Sequence, residues 1–403
     1  MQRSVTFVNR YFHPDQSATS QLLSDLAFAL AARGWKVEVL TSRQLYEEPL
    51  AALAAEETLR GVRVHRLGTT SFGRLRLAGR FADYLSFHAK VYWWLRTRDS
   101  SGVVVAMTDP PLISTTAALA IKRPQKRLVI WTQDVFPEIA EVELIRGKRM
   151  LGRALRWLRD LGARRSALSV AVGERMREEI ERYAARVEVL PNWALEESAG
   201  ANGEGFRRDH AIRESSFVVG YSGNFGRVHE FDSILVALAE LRDADVHFLL
   251  TGGGGQFFRV EELVAWEKLQ NVTLLPYQPR QRLGELLAAS DMHLVSLAAG
   301  YEGLVVPSKF YGIAAAGRAT VYVGNRDGDV ARLIEQFDCG VVVEPGSGDE
   351  LARVIRGLSK DRELVRTLGE NARRAWRGCW RKEMAVDRWE EVLKVKSEAL
   401  PGF

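Results

Sequence analysis

Cysteine is almost missing from this chain: Cys339 and Cys379 are the only two among 403 residues, and no C-x-x-C pair occurs. A disulfide framework and a cysteine-built zinc site are therefore excluded. No stretch approaches the roughly 18 apolar residues that a membrane-spanning helix requires. The first ten residues, Met1 to Arg10, are too short and interrupted an apolar run for a signal core, so a reducing cytoplasm is the expected compartment. Acidic residues are scarce in one region, where 58–98 holds nine basic side chains against the single acid Asp83. Residues 1–200 carry 30 Lys and Arg against 22 Asp and Glu, and the remainder 26 against 29, so the net +5 conceals a basic first half.

What is present is enough apolar material for real cores, 46% of residues, in a length that suits two domains. Residues 5–8 read as a buried strand, 21–33 carry apolar side chains at helical spacing, Gly34 stops that helix, and 36–40 read as the next strand. Such a βαβ unit builds a parallel sheet. Further strands are expected at 62–65, 103–106, 128–131, 168–171 and 187–190. The pattern breaks at 196–215, a Gly- and Glu-rich stretch with little apolar period, and restarts with strands at 218–221, 246–250, 272–275, 293–295, 320–323 and 340–343. Helices are expected at 231–241, 281–289 and 309–316. The expected organisation is a first doubly wound α/β domain over 1–195, a linker over 196–215 and a second such domain over 216–375. A last segment, 376–403, would return to the first domain. Ligands bind outside the carboxyl ends of such sheets, and two facing sheets would enclose one from both sides.

Three stretches carry the chemistry. Ser222-Gly223-Asn224-Phe225-Gly226-Arg227 follows the first strand of the second half; its glycines would let backbone N–H groups approach a phosphate that Arg227 neutralises, although an ordinary strand-to-helix turn reads the same way. Gly252-Gly253-Gly254-Gly255 after the next strand has the same two readings and is no Walker A loop, since no Lys-Ser/Thr follows. The third runs from Gly300 to Gly317. Glu302 sits in a Gly-flanked loop where a carboxylate can accept from sugar hydroxyls, and Lys309 opens a helix, an end that ordinarily prefers acids. A cation there points to a bound anion.

These residues resemble a family. The Glu302-Gly303 loop, Pro307-Ser308-Lys309-x-Tyr311, Ala315-Ala316-Gly317 and Ser222-Gly223-Asn224 are similar to the donor-site signature of glycosyltransferase family 4, retaining enzymes of the GT-B fold. Tyr11-Phe12-His13-Pro14, Trp131-Thr132-Gln133-Asp134-Val135-Phe136-Pro137-Glu138 and Leu190-Pro191-Asn192 extend the resemblance over nearly the whole chain, most closely to bacterial transferases of capsule, exopolysaccharide or O-antigen assembly. The resemblance implies two Rossmann-like domains, a nucleoside-diphosphate sugar as co-substrate, UDP-linked, and no further cofactor. It makes Glu302 the partner of the sugar hydroxyls and puts Lys309 and Arg227 on the diphosphate, with Gly223, Asn224, Gly252, Gly253 and Gly303 lining the pocket. Gly312 stands where a second glutamate would reach the ribose.

Asp134 is the candidate for contacting the acceptor hydroxyl or the developing positive charge; a helix cap before Pro137 is its other reading. His13 is an acceptor-side candidate, and Tyr277 either borders the base or sits in a simple turn. No compact Asp-x-Asp motif stands where the family would place a metal, so none is expected. Residues 149–165 place Leu151, Ala154, Leu155, Leu158 and Leu161 on one helix face and Arg153, Arg156, Arg159 and Arg164 on the other, with Trp157 at the boundary. With aromatic-rich 80–96, this suggests an anionic membrane surface and a polyprenyl-linked saccharide acceptor at the inner face of the cell membrane. Nucleic acid, the rival partner for a basic surface, has no motif here. A sugar-nucleotide epimerase of the same fold and a catalytically silent partner of another transferase remain alternatives.

Overall fold

The structure is a computed structural model describing residues 3–46, 48, 50–51, 53–72, 77–98, 102–121, 126–143, 148–194 and 199–394. It resolves into two compact units, one of residues 1–191, 303–305 and 385–403, the other of residues 192–302 and 306–384.

The first unit alternates strands and helices in chain order: β1 (Ser4–Val8), α1 (Ala18–Ala32), β2 (Lys36–Ser42), β3 (Glu56–Leu59), β4 (Val62–Leu67), α2 (Leu77–Thr97), β5 (Val103–Ala106), α3 (Ile113–Ala120), β6 (Arg127–Trp131), α4 (Glu138–Glu143), α5 (Arg149–Arg164), β7 (Leu168–Ala171), α6 (Glu174–Ile180) and β8 (Val187–Val189). Among the described residues its eight strands lie in the order β3-β4-β2-β1-β5-β6-β7-β8, all parallel except β3, which pairs antiparallel with β4. The central strands are buried on both faces, Val5, Phe7, Val104 and Val105 having no exposed surface, which is why they read as unbroken apolar runs. The antiparallel edge strand β3 escapes that reading because Glu56-Glu57-Thr58-Leu59 is half exposed and polar.

The second unit follows the same logic: α7 (Glu204–Asp209), β9 (Phe217–Asn224), α8 (Asp232–Glu240), β10 (Val246–Gly253), α9 (Phe257–Trp266), β11 (Val272–Leu275), α10 (Leu283–Ala288), β12 (Met292–Ser296), α11 (Lys309–Ala315), β13 (Ala319–Val323), α12 (Asp329–Phe337), β14 (Gly340–Val343), α13 (Gly348–Lys360) and α14 (Arg362–Cys379). Among the described residues six parallel strands run β11-β10-β9-β12-β13-β14. Strand order reverses direction at β1/β5 in one sheet and at β9/β12 in the other, and in open α/β sheets the crevice at such a reversal is where ligands bind.

Two boundary expectations need correction. The second unit begins at Asn192, and the 196–215 stretch contains α7, whose Phe206 is fully buried against Ile212, Val218 and Leu286; one buried aromatic turns a charged segment into a packed one. Residues 195–198 of that stretch lie outside the described residues. The chain end also divides later than 376. Helix α14 continues to Cys379, and Trp380 is buried edge-on to Phe310, Tyr311 and Phe337 of the second unit. Only the last helix, α15 (Lys382–Lys394), counts with the first unit from Ala385 onward. There Trp389 packs on Trp131 with ring centroids 4.7 Å apart, Glu390 accepts from Trp35 Nε1 at 2.7 Å, and Arg127 donates to the Leu393 carbonyl at 2.9 Å.

Candidate active site

In the second unit the two glycine-rich turns are one construction. Strands β9 and β10 stay paired to their ends, so Gly223 lies opposite Gly252 and Asn224 opposite Gly253. Gly223 and Gly252 take φ of 138° and 145°, a region that favours glycine, and a Cβ on Gly252 would collide with the Gly223 carbonyl. Backbone thus meets backbone at the carboxyl end of the sheet. Asn224 does not project freely from this loop: its amide fills the space that side chains on Gly226 and Gly254 would need. Tyr277 arches over Gly253, donating its hydroxyl to the Gly253 carbonyl at 3.1 Å while keeping about half of its surface open. Arg227 is exposed on the same loop.

Lys309 opens α11, and its Nζ donates to the Tyr221 hydroxyl at 2.7 Å while lying 3.9 Å from the centre of that ring. The Tyr221 hydroxyl in turn donates a hydrogen bond to the Asn224 carbonyl at 2.7 Å, so the lysine is tied to the glycine loop. A Cβ on Gly223 would stand 3.3 Å from Nζ. Lys309 as a residue is only half-buried, yet its ammonium is desolvated enough that burial pushes its pKa down to about 7. Burial, and then the Lys309 charge, push the neighbouring His229 down to about 3, and its Nδ1 pairs with the Ser296 carbonyl at 2.7 Å. Neither Tyr221 nor His229 was legible as a site residue, because an aromatic in an apolar strand and a single histidine both look like core.

Glu302 is fixed at both oxygens. Oε2 accepts from the Gly300 N–H at 2.8 Å and Oε1 from the Asn325 amide. Gly303 counts with the first unit; its φ is 72°, and a Cβ on it would stand 2.9 Å from the Arg175 carbonyl of α6. Gly312 lies within α11, partly buried.

In the first unit Asp134 follows β6 and pairs with Val305 in an isolated antiparallel bridge, while the Leu304 carbonyl accepts from the Val135 N–H at 2.9 Å. A small cavity beside it is lined by Thr108, Thr132, Ser169, Arg159 and Tyr183. Burial, and then the charge of Asp109, raise the Asp134 carboxyl to about 6. His13 is held through its backbone, its N–H donating to Ser24 Oγ at 3.2 Å and its carbonyl accepting from Arg66 at 2.7 Å, with its ring edge-on to Phe28.

The basic face read on 149–165 is only partly free. Arg156 pairs with Glu141 at 2.6 Å; Arg159 pairs with Glu138 at 2.9 Å and Asp160 at 2.7 Å, and stacks 3.4 Å over Tyr183. Helix periodicity shows which side chains share a face but not which face finds partners. Arg149, Arg153 and Arg164 are exposed, and so are Met150, Leu151 and Trp157 of α5. Helices α2, α3 and α5 form one layer, tied by the His88–Thr116 and Thr115–Leu158 hydrogen bonds, and it also exposes Phe81, Leu85, Trp93 and Leu119. Among the described residues no helix is long and apolar enough to cross a membrane.

Comparison with known proteins fits this geometry. Residues 19–193 match the glycosyl transferase 4-like domain and residues 203–375 the glycosyl transferases group 1. The putative colanic acid biosynthesis glycosyl transferase WcaI of Escherichia coli is 30% identical over 188 residues, a stretch covering 45% of this chain and 46% of that protein. The chain thus matches under half the length of this curated relative. Among solved structures, sucrose-phosphate synthase of Thermosynechococcus elongatus superposes with a TM-score of 0.78 at 15% identity, covering 97% and 98% of the two chains. HepE of Anabaena, solved with UDP and glucose, gives 0.72 at 18%, covering 97% and 99%. With a matching family model on each unit and this architecture throughout, the chain belongs to the family 4 glycosyltransferases of the GT-B fold.

Proposed function

We propose that this glycosyltransferase moves a hexose or N-acetylhexosamine from a nucleoside-diphosphate sugar, UDP-linked, to a lipid-linked acceptor in the assembly of a bacterial surface polysaccharide, with retention at the anomeric carbon. The observation that carries the donor half is Lys309: an enclosed ammonium on a tyrosine hydroxyl, beside paired glycine turns at the carboxyl end of a parallel sheet, suits a diphosphate. UDP is held by the HepE structure, and WcaI is named for colanic acid biosynthesis, which supports the substrate class.

In this reading the bond from the anomeric carbon to the diphosphate oxygen breaks, and its electron pair leaves on the phosphate. The acceptor oxygen attacks from the same face and passes its proton to the departing phosphate oxygen. Lys309 and Arg227 stabilise the charge that develops on the leaving group. Glu302 accepts from the sugar hydroxyls, and Asp134 faces the acceptor hydroxyl or the positive charge growing on the sugar. Gly253 and Tyr277 border the base.

Purified protein incubated with UDP-, GDP- and dTDP-sugars, with and without membrane lipid extract, tests this reading. Nucleotide release that requires the lipid extract, with radiolabelled sugar recovered in lipid, is the expected result. Sugar interconversion without acceptor would make the protein an epimerase. No turnover with any donor would favour a silent partner, the reading that Gly312 in place of a second glutamate motivates.

The acceptor half includes peripheral contact with an anionic membrane through the α2–α3–α5 layer, where Trp93, Trp157, Met150 and Phe81 are exposed beside Arg149 and Arg153. Each basic residue near such a surface contributes about 1 kcal/mol. Sedimentation with phosphatidylserine vesicles at low salt is expected for the wild type and is expected to weaken at high salt. Indifference to such vesicles would leave a soluble acceptor as the better reading.

A further inference from the structure

Glu302 is oriented by two partners, the nearby Gly300 N–H and a residue 23 positions away in a closely held loop. At the end of β13 the Tyr322 ring is fully buried, and a Cβ on Gly324 would run into it, so the turn 324–328 can fold directly over that ring. A Cβ on Gly328 would stand 3.0 Å from the Tyr322 hydroxyl. The Gly328 N–H closes the turn on the Asn325 carbonyl at 3.0 Å, and the Gly324 N–H is held by the Val343 carbonyl at 3.0 Å. On the outer side Arg326 pairs with Glu335 and Glu344, and Arg332 with Asp327. Clamped in this way, the loop delivers the Asn325 amide to Glu302 Oε1 while the Gly300 N–H takes Oε2.

We propose that Asn325 is the positioning residue for Glu302 in the donor-sugar subsite. A carboxylate has about four acceptor sites. With one taken on each oxygen, those left are aimed in one direction, ready for a pair of sugar hydroxyls. Asn325 is neutral, so it orients the anion without cancelling its charge, which is what strengthens the hydrogen bonds to a ligand. An aspartate of the same size would instead set a second carboxylate against the first. The inference rests on the reading of Glu302 as a sugar contact.

The test is a double-mutant cycle on nucleotide release, run with whichever of the UDP-, GDP- and dTDP-sugars turns over fastest, with free nucleoside diphosphate binding measured in parallel. Asn325→Ala is expected to lower kcat/KM about tenfold, the loss of one charge-assisted hydrogen bond, while leaving affinity for the free nucleotide unchanged. Asn325→Asp is expected to lose more and Asn325→Gln to recover part of the activity. In the Glu302→Ala background neither Asn325→Ala nor Asn325→Asp should cost anything further. Equal losses in both backgrounds, or wild-type turnover in Asn325→Ala, would overturn the proposal. Normal turnover in Glu302→Ala would instead sink the sugar-contact reading itself. A second measurement needs no ligand: Asn325→Asp should lower Tm more at pH 7 than at pH 4, and adding Glu302→Gln should abolish that difference. If the difference persists without the Glu302 charge, Asn325 does not act through Glu302.

Discussion

Lys309 carries a charge that its surroundings only half permit. With its pKa near 7, the lysine is increasingly neutral above that pH, and a diphosphate must restore the proton when it binds. Affinity for UDP should therefore fall as pH rises above 7, by up to tenfold per unit, with proton uptake at pH 8 measurable by calorimetry in buffers of different ionisation enthalpy. The protein without ligand behaves in the opposite sense. Between about 7 and the ordinary lysine value the unfolded chain binds a proton that the folded one does not, so this residue's penalty on stability is relieved as pH rises through that window. Lys309→Met should abolish the proton uptake and reduce turnover on the order of 10²–10³ fold. Asp134, raised to about 6, supplies the other limb if it acts ionised: kcat/KM should fall below pH 6 and above pH 7, and Asp134→Asn should remove the acid limb alone. Lys309 was legible in the sequence because a lysine opening a helix breaks a rule. Its partner Tyr221 was not, since it obeys every rule for a buried strand, and neither was Asn325, the partner of Glu302, which obeys every rule for a turn.

Helices α5 and α15 teach different lessons at the level of elements. The period of α5 predicted two faces, and both exist, but Arg156 and Arg159 face the acids of α4 and the Tyr183 ring, contacts distant in sequence that no period reports. Replacing them by Gln should lower stability and leave vesicle binding little changed. Trp157→Ala with Met150→Ala should do the reverse, as read by co-sedimentation and thermal melting. In α15, Trp389 has no exposed surface and packs at a tilt against Trp131, so Trp389→Ala should cost about 3–5 kcal/mol in denaturant unfolding of the first unit. A truncation before Trp376 would do different damage. It removes Trp380 from behind Phe310 and Tyr311, the two residues that follow Lys309, so nucleotide affinity should drop together with stability.

On the scale of the whole molecule, the alternation of strands, helices and glycines made two parallel-sheet units legible, and the strands read from apolar runs occur in the structure. What composition could not assign is which pieces of chain complete which unit. Residues 303–305 and α15 count with the first unit although both are encoded after most of the second; the pairings that tie them there, among them Val135 to Leu304 and Trp131 to Trp389, are distant in sequence and leave no local signature.

The position of α15 matters for how the protein is made. When residue 191 has left the ribosome, the sheet of the first unit can form, but Trp131 has no Trp389 above it and Trp35 has no Glu390. Roughly 10–40 s of synthesis separate that moment from the emergence of the last helix. During this interval a nascent chain carries an uncovered tryptophan face on an otherwise assembled sheet, a natural target for a chaperone and a hazard if the message is cut short.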